Sequence, residues 1–288
     1  MPAGSSYAYY PGCTLHSTAR EYDVSLRLVC QKLGIELREL RDWACCGASS
    51  AHAESRLLGI ALPARTLQAA EEMGLPLGVA CAMCFSRLKL ASHELADGDT
   101  LDLVGRIIGR GFGNKATVVH MLQVLDSERE ALPVKRTLEG LKVASYYGCL
   151  LVRPRDIVGF DDEENPQIMD RLVEATGAHA VPWGFKTECC GAGFSVPRAD
   201  IQLKLSHRIL SQAKAAGADC VSVACPLCHS NLDSYQQVMR REYEHEIGLP
   251  VLYFTQLVGL ALGLEPRELL LNRHVTDPLP VLKARGLA

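Results

Sequence analysis

Ten of the twelve cysteines in this chain fall into two ordered sets. The first is Cys13, Cys45, Cys46, Cys81 and Cys84; the second is Cys149, Cys189, Cys190, Cys225 and Cys228. In each set a lone cysteine precedes a double cysteine and then a CxxC, with 34 residues between the last two. Double cysteine and CxxC both recur at an offset of 144 residues, while the first gap is 31 residues in one set and 39 in the other. One CxxC arises easily by chance. Two copies of the whole order with one identical internal gap mark a duplication.

Five thiolates per set narrow the chemistry. A structural zinc closes its shell with four nitrogen or sulfur ligands, and a simple iron–sulfur cluster also takes four cysteines. A quintet with two adjacent members suggests a polynuclear cluster in which neighbouring cysteines bind different irons, or one thiolate bridges two. Gly47 and Gly191 follow the double cysteines, and a residue without Cβ lets backbone N–H groups face sulfur or simply makes a turn. Zinc and a thioredoxin-like dithiol are the other readings of a CxxC. Cys30 and Cys220 lie outside the repeat among apolar neighbours and read as inert core thiols. His229 directly follows Cys228 and is a candidate hydrogen-bond or proton donor to that set, with Phe85 at the matching place in the first half. Arg153, Arg155 and Lys186 flank the second set as solvated charges, or as cations for thiolate or an anionic substrate.

The elements that must position these thiols read as α/β in each half. Residues 6–10, 141–147 and 221–224 have the β-branched and aromatic character of buried strands that deliver a cysteine at their C-terminal ends. Residues 57–73 and 203–216 repeat apolar positions at helical spacing and stop at Gly74 and Gly217. Strand, cysteine, helix, strand, cysteine is the grammar of a parallel sheet, whose sites lie beyond the carboxyl ends of its strands. The predicted fold is therefore two tandem, pseudo-symmetric cysteine-rich domains, each a small, mostly parallel sheet flanked by helices. A boundary at about residue 138, after the Gly-rich stretch 105–113 and the amphipathic segment 117–125, gives domains 1–138 and 139–288. The acidic stretch 161–166 accounts for the longer gap of the second half as a surface loop.

Composition narrows the partners. The 288 residues are 48% hydrophobic and 22% charged, the balance of a folded globular protein. A net charge of −3 and a pI near 6.3 offer no field for nucleic acid. Residues 1–7 carry neither the basic head nor the apolar run of a secretory signal, so the expected location is cytoplasmic, where thiols stay reduced. The longest apolar stretch, 250–264, is too short and too polar to span a bilayer and reads as a buried or partner-facing helix.

The pattern C-x31-CC-G-x33-C-x2-C, followed by C-x39-CC-G-x33-C-x2-C, resembles the doubled cysteine-rich domain of the heterodisulfide reductase B subunit. The resemblance reaches through Tyr253-Phe254-Thr255-Gln256-Leu257, nearly the whole chain. Related domains occur in iron–sulfur subunits of glycolate oxidase, thiol-fumarate reductase and some succinate dehydrogenases, which commonly place ferredoxin-type cysteines ahead of the domain. None stands here, which favours the stand-alone subunit. The resemblance implies that all ten repeat cysteines bind two non-cubane [4Fe-4S] clusters, five to each. It also implies a cavity between the halves for a disulfide or protein-bound sulfur, with a small ferredoxin-like C subunit and a flavin-containing A subunit as partners. Ala82, where the second half has Pro226, departs from the repeat and is expected to loosen the first loop. The leading expectation is a subunit that reduces or forms a sulfur bond. The alternative is a non-catalytic electron-relay subunit of a quinone-linked or organic-acid dehydrogenase.

Overall fold

The computed structural model describes residues 5–244 and 246–287. Among them, eight short strands form two sheets of four. The first holds β1 (Ser6–Tyr10), β2 (Glu36–Glu39), β3 (Leu77–Val79) and β4 (Val118–His120), in the order β2-β1-β3-β4. The second holds β5 (Lys142–Tyr146), β6 (His179–Ala180), β7 (Cys220–Val223) and β8 (Val251–Tyr253), in the matching order β6-β5-β7-β8. Every pairing is parallel. Parallel neighbours require crossovers, and helices such as Arg20–Lys32, Arg56–Met73 and Ala199–Ala215 supply them. The chain is thus α/β, two four-stranded parallel sheets flanked by helices, as its repeat leads one to expect.

The inner strands are apolar because both their faces are covered. β3 and β7 are buried throughout, as is β8 on the edge of its sheet, whereas β2, also on a sheet edge, is half-exposed. Helix Arg56–Met73 ends at Gly74 in the left-handed conformation (φ +66°), and Gly217 (φ +83°) follows helix Ala199–Ala215. The acidic stretch 161–166 is the expected loop. Asp161 accepts from the N–H groups of Gln167 and Ile168, and Asp162 from those of Glu164 and Asn165.

Two expected segments divide differently. Residues 250–264 do not form one helix: Val251–Tyr253 is the strand β8, and the helix is Phe254–Ala261. All of that helix is buried within the chain, so it faces no partner. Residues 117–125 divide in the same way into β4 and the helix Met121–Ser127. In both places a Gln side chain three residues past the end of the strand, Gln123 or Gln256, accepts from the N–H of His120 or Tyr253 and fixes the strand-to-helix turn.

The halves share one continuous core. Helix Arg20–Lys32 packs on Phe254–Ala261, and helix Ala82–Glu94 on Cys149–Val152 and Arg155–Val158. At this seam Tyr22 stacks on Tyr253 with ring centroids 4.1 Å apart and an interplanar angle of 9°. The hydroxyls of Ser25 and Thr255 lie 2.7 Å apart, and Arg273 pairs with Glu21 at 3.1 Å.

Candidate metal centres

The two cysteine sets lie past the carboxyl ends of the strands, where a parallel sheet places its ligands. Cys13 follows β1 and Cys149 follows β5, each in a one-turn helix (Gly12–Leu15 and Cys149–Val152). Cys81 and Cys225 follow β3 and β7 and form the N-caps of helices Ala82–Glu94 and Pro226–Asp233, with Cys84 and Cys228 in the first turns. A helix N-terminus favours the thiolate form.

Each quintet converges. In the first half the Cys46 and Cys84 sulfurs are 3.2 Å apart and those of Cys13 and Cys45 are 3.9 Å apart. In the second half the Cys190 and Cys228 sulfurs are 3.4 Å apart, and the Cys149 and Cys189 thiols are close enough to shift one another's ionisation. The sets also approach each other: the Cys81 and Cys225 thiols influence one another across the seam, where the Ala82 N–H donates to the Ala224 carbonyl at 3.3 Å.

Shared protons make the thiols unequal. The Cys45 thiol, then that of Cys84, then the Ala48 N–H hold Cys46 down at about 3, with the Arg87 guanidinium adding to this. Cys189 is pushed to about 6, chiefly by the Cys149 thiol and also by the Gly191 N–H at 3.3 Å. Cys225 is held well below the ordinary thiol range, mainly by Cys228. Their partners Cys45, Cys149 and Cys228 are raised, each first by the thiol it faces and then by burial. Each half therefore has at least one thiol whose neighbours favour the thiolate, the form that binds metal.

Gly47 and Gly191 sit where only glycine fits. Both are left-handed, at φ +78° and +80°. A Cβ on Gly47 would fall 2.4 Å from the Ala51 Cβ, and one on Gly191 would fall 2.8 Å from the Gln202 Cα. The N–H of Gly47 donates to Cys45 as that of Gly191 does to Cys189.

Several contributors escape the cysteine pattern. Gly12 and Gly148, both at φ +69°, precede the lone cysteines, and a Cβ on them would lie 3.4 Å from the Cys84 sulfur and 3.2 Å from that of Cys228. Tyr10 donates to the Ala44 carbonyl at 2.9 Å, and Tyr146 to that of Glu188 at 2.6 Å, so each half ties the end of a central strand to the residue before its double cysteine. Asn231 donates to the Cys190 carbonyl at 3.0 Å and reaches its sulfur at 3.8 Å. The residue 144 positions earlier is Arg87, whose charge acts on Cys46. Gly before the lone cysteine, and the same offset applied three residues past each CxxC, were the available signals.

Other candidates are engaged elsewhere. Lys186 is buried in an ion pair with Asp170 at 2.9 Å, and Arg153 bonds to Glu164 at 2.8 Å. Arg155 is exposed. The His229 Nε2 lies 3.0 Å from the Val251 carbonyl oxygen and 2.9 Å from the His274 Nδ1, so that nitrogen is occupied away from the thiols. Burial raises Cys30 to about 12 and also raises Cys220, in keeping with inert core thiols. Ala82 does not loosen its loop: its N–H donates to the Ala224 carbonyl across the seam at 3.3 Å.

Between the halves a cavity of about 200 Å³ is bordered by all five second-half cysteines. Its opposite wall carries Ser49, His52, Ala82, Met83 and Arg87 of the first half.

The cysteine-rich domain family (CCG) matches residues 7–89 and 143–233. The chain is 37% identical over 276 residues to the 8-methylmenaquinol:fumarate reductase membrane anchor subunit of Wolinella succinogenes, covering 94% of this chain and 97% of that one. It is 30% identical over 283 residues to the B subunit of the ferredoxin/F(420)H(2)-dependent CoB-CoM heterodisulfide reductase of Methanosarcina acetivorans, covering 95% and 94%. It is also 30% identical over 281 residues to the B subunit of the ferredoxin:CoB-CoM heterodisulfide reductase of Methanosarcina mazei, covering 94% of each. A crystal structure of a hypothetical protein from Helicobacter pylori shares the fold, with a TM-score of 0.79 at 14% identity over 96% of this chain. The chain spans about half, 53%, of that protein. With its unit matched twice and relatives along nearly its whole length, the chain belongs to the cysteine-rich CCG-domain family.

Proposed function

We propose that the chain is the iron–sulfur subunit of an oxidoreductase complex and that it reduces or forms a disulfide or related sulfur bond in the cavity between its halves. Cys13, Cys45, Cys46, Cys81 and Cys84 hold one cluster, and Cys149, Cys189, Cys190, Cys225 and Cys228 the other, both of the non-cubane [4Fe-4S] kind. The donor set fits: five converging thiols, at least one with its thiolate form favoured by its neighbours, lie under N–H groups aimed at sulfur. The observation that carries the reading is the meeting of the two CxxC segments, where the Ala82 N–H donates to the Ala224 carbonyl at 3.3 Å, beside a cavity bordered by all five second-half cysteines and walled on the other side by Ala82, Met83 and Arg87. When bound, such clusters supply one-electron transfer and iron to which sulfur can bind.

The protein's own residues prepare that chemistry. Gly12 and Gly148 leave room beside the CxxC sulfurs, and Gly47 and Gly191 direct backbone N–H groups at the double cysteines. Tyr10 and Tyr146 fix the approach to each double cysteine. Met83, Leu150 and Leu227 line the cavity with apolar surface that excludes water. We place the division between the repeats at about residue 138. In this reading a ferredoxin-like C subunit and a flavin-containing A subunit exchange electrons with the chain in the cytoplasm. Among the described residues no helix is long and apolar enough to cross a membrane.

The relative of Wolinella succinogenes favours a second reading, in which the chain relays electrons in a quinol-linked organic-acid reductase without acting on sulfur. Anaerobically purified protein tests both. The first reading expects about eight irons per chain with matching sulfide and an electron paramagnetic resonance signal that responds to disulfides. A response to quinols or dicarboxylates alone supports the relay. Fewer than about four irons with stoichiometric zinc instead rejects both readings.

A further inference from the structure

Behind the helix that carries Cys228, a group of buried side chains takes no part in the cysteine sites. The His229 Nε2 and the His274 Nδ1 face one another at 2.9 Å. Asp233 stands one helical turn beyond His229. One ligand atom from each of His229, Asp233 and His274 lies within 4.8 Å of the others, and all three residues are buried.

Three further observations point to a cation. Asp233, 1% exposed, forms no ion pair among the described residues; its carboxylate oxygens accept from the N–H groups of Val275 and Thr276 at 2.7 and 3.0 Å. A carboxylate buried without a counter-charge is costly. Next, the Tyr253 ring stacks on His229 at 4.4 Å, while its hydroxyl is fully buried and has no hydrogen-bond partner among the described residues. Finally, a cavity of about 290 Å³ at the seam reaches His229, Asp233 and Tyr253. None of this recurs in the first half, where the places of His229 and Asp233, 144 residues earlier, are held by Phe85 and Lys89.

We propose that His229, Asp233 and His274 bind one divalent transition-metal ion, separate from the cysteine sites. Two imidazole nitrogens and a carboxylate oxygen are a donor set suited to zinc, with the remaining positions open to water or the Tyr253 hydroxyl. The ion clips the segment that carries His274 to the helix that carries Cys228.

The test uses the whole chain, purified anaerobically with its iron in place, treated with a mild chelator and then titrated with zinc(II) or cobalt(II) while iron and sulfide are measured in the same samples. The proposal expects about one zinc per chain at this site, with unchanged iron and a higher melting temperature. Cobalt should give weak visible bands of nitrogen–oxygen ligation without intense sulfur-to-cobalt absorption. His274→Gln and Asp233→Asn should each weaken zinc binding by more than about tenfold at unchanged iron content. Zinc taken up only as iron is lost, or affinity equal to wild type in both variants, would overturn it. Should the variants fail to fold, the cobalt spectrum of the wild-type chain decides: sulfur-type absorption alone, or no uptake, refutes the site. The iron and sulfide values report separately on the cysteine sites, so failure of one assignment leaves the other standing.

Discussion

Replacing Gly191 by alanine separates two costs that the structure combines at this position. At φ +80° any L-residue pays for left-handed backbone, about 1–2 kcal/mol. The new Cβ would also stand 2.8 Å from the Gln202 Cα and 3.3 Å from its Cβ, inside helix Ala199–Ala215, where no flexible side-chain end can swing away. Overpacking of that sort adds about 1–3 kcal/mol. Gly217 provides the control. Its φ is +83°, and a Cβ there meets nothing within 4 Å, so Gly217→Ala carries the backbone cost alone. The expected losses are about 2–5 kcal/mol for Gly191→Ala and about 1–2 kcal/mol for Gly217→Ala. At about 2 °C or more per kcal/mol for a chain of this size, the two variants should melt several degrees apart by circular dichroism under anaerobic conditions. Gly191→Ala should also disturb the N–H bond to Cys189 and lower iron retention. Equal melting temperatures for the two variants would refute the claim that contact with Gln202, rather than the turn alone, requires glycine.

Acid should destabilise the fold through a buried imidazole. Burial pushes His120 from the ordinary 6.5 to about 4. The unfolded chain therefore takes up protons first, and the stability this residue contributes above pH 6.5 is lost as pH falls toward 4. At 1.36 kcal/mol per unit this is about 3 kcal/mol; His120→Gln should flatten the slope of stability against pH in that window, and an unchanged slope contradicts the argument. Arg87→Asn installs at the first set the residue type that the second set has at Asn231. Loss of a positive charge near Cys46 should shift the midpoint potential of one cluster signal to more negative values in a redox titration, and no shift means that Arg87 does not act on that set. Tyr22→Ala removes a fully buried ring stacked on Tyr253 and a hydroxyl that donates to the Ala80 carbonyl at 2.7 Å. It should cost about 3–5 kcal/mol and speed hydrogen exchange at the Ala82 N–H; protection like that of wild type shows that the seam does not depend on this ring.

Much of the architecture was legible because the cysteines give the repeat its register. The predicted strand 6–10 is β1, and Gly74 and Gly217 end their helices as their positions imply. Short elements were harder to read. β4 and β8 have three residues each, too few to show a period, and at 250–264 the strand merged with the apolar helix that follows. The Gln123 and Gln256 turns that mark both boundaries have little signature outside their partners. The tyrosine pairs of the two halves also invite a false match: by structure Tyr10 corresponds to Tyr146, each donating to the carbonyl before its double cysteine, while Tyr147 bonds to Asp170. Lys186 and Arg87 exchange their apparent importance, because three-dimensional neighbours rather than sequence distance from a cysteine decide what a charge acts on. Lys186, three residues before Cys189, serves Asp170, whereas Arg87, 41 residues after Cys46, acts on that sulfur.

The hydrogen bond from Ala82 to the Ala224 carbonyl runs one way only. Its mirror image would run from residue 226 to the Ala80 carbonyl, but Pro226 has no N–H to give, and the Tyr22 hydroxyl takes that acceptor instead. Two identical polypeptides meeting about a twofold axis must carry the same residue at both places, so they could not hold alanine on one side and proline on the other. The lopsided contact is therefore one that only two repeats of different sequence can make, and a symmetric pair of either half alone would lack it.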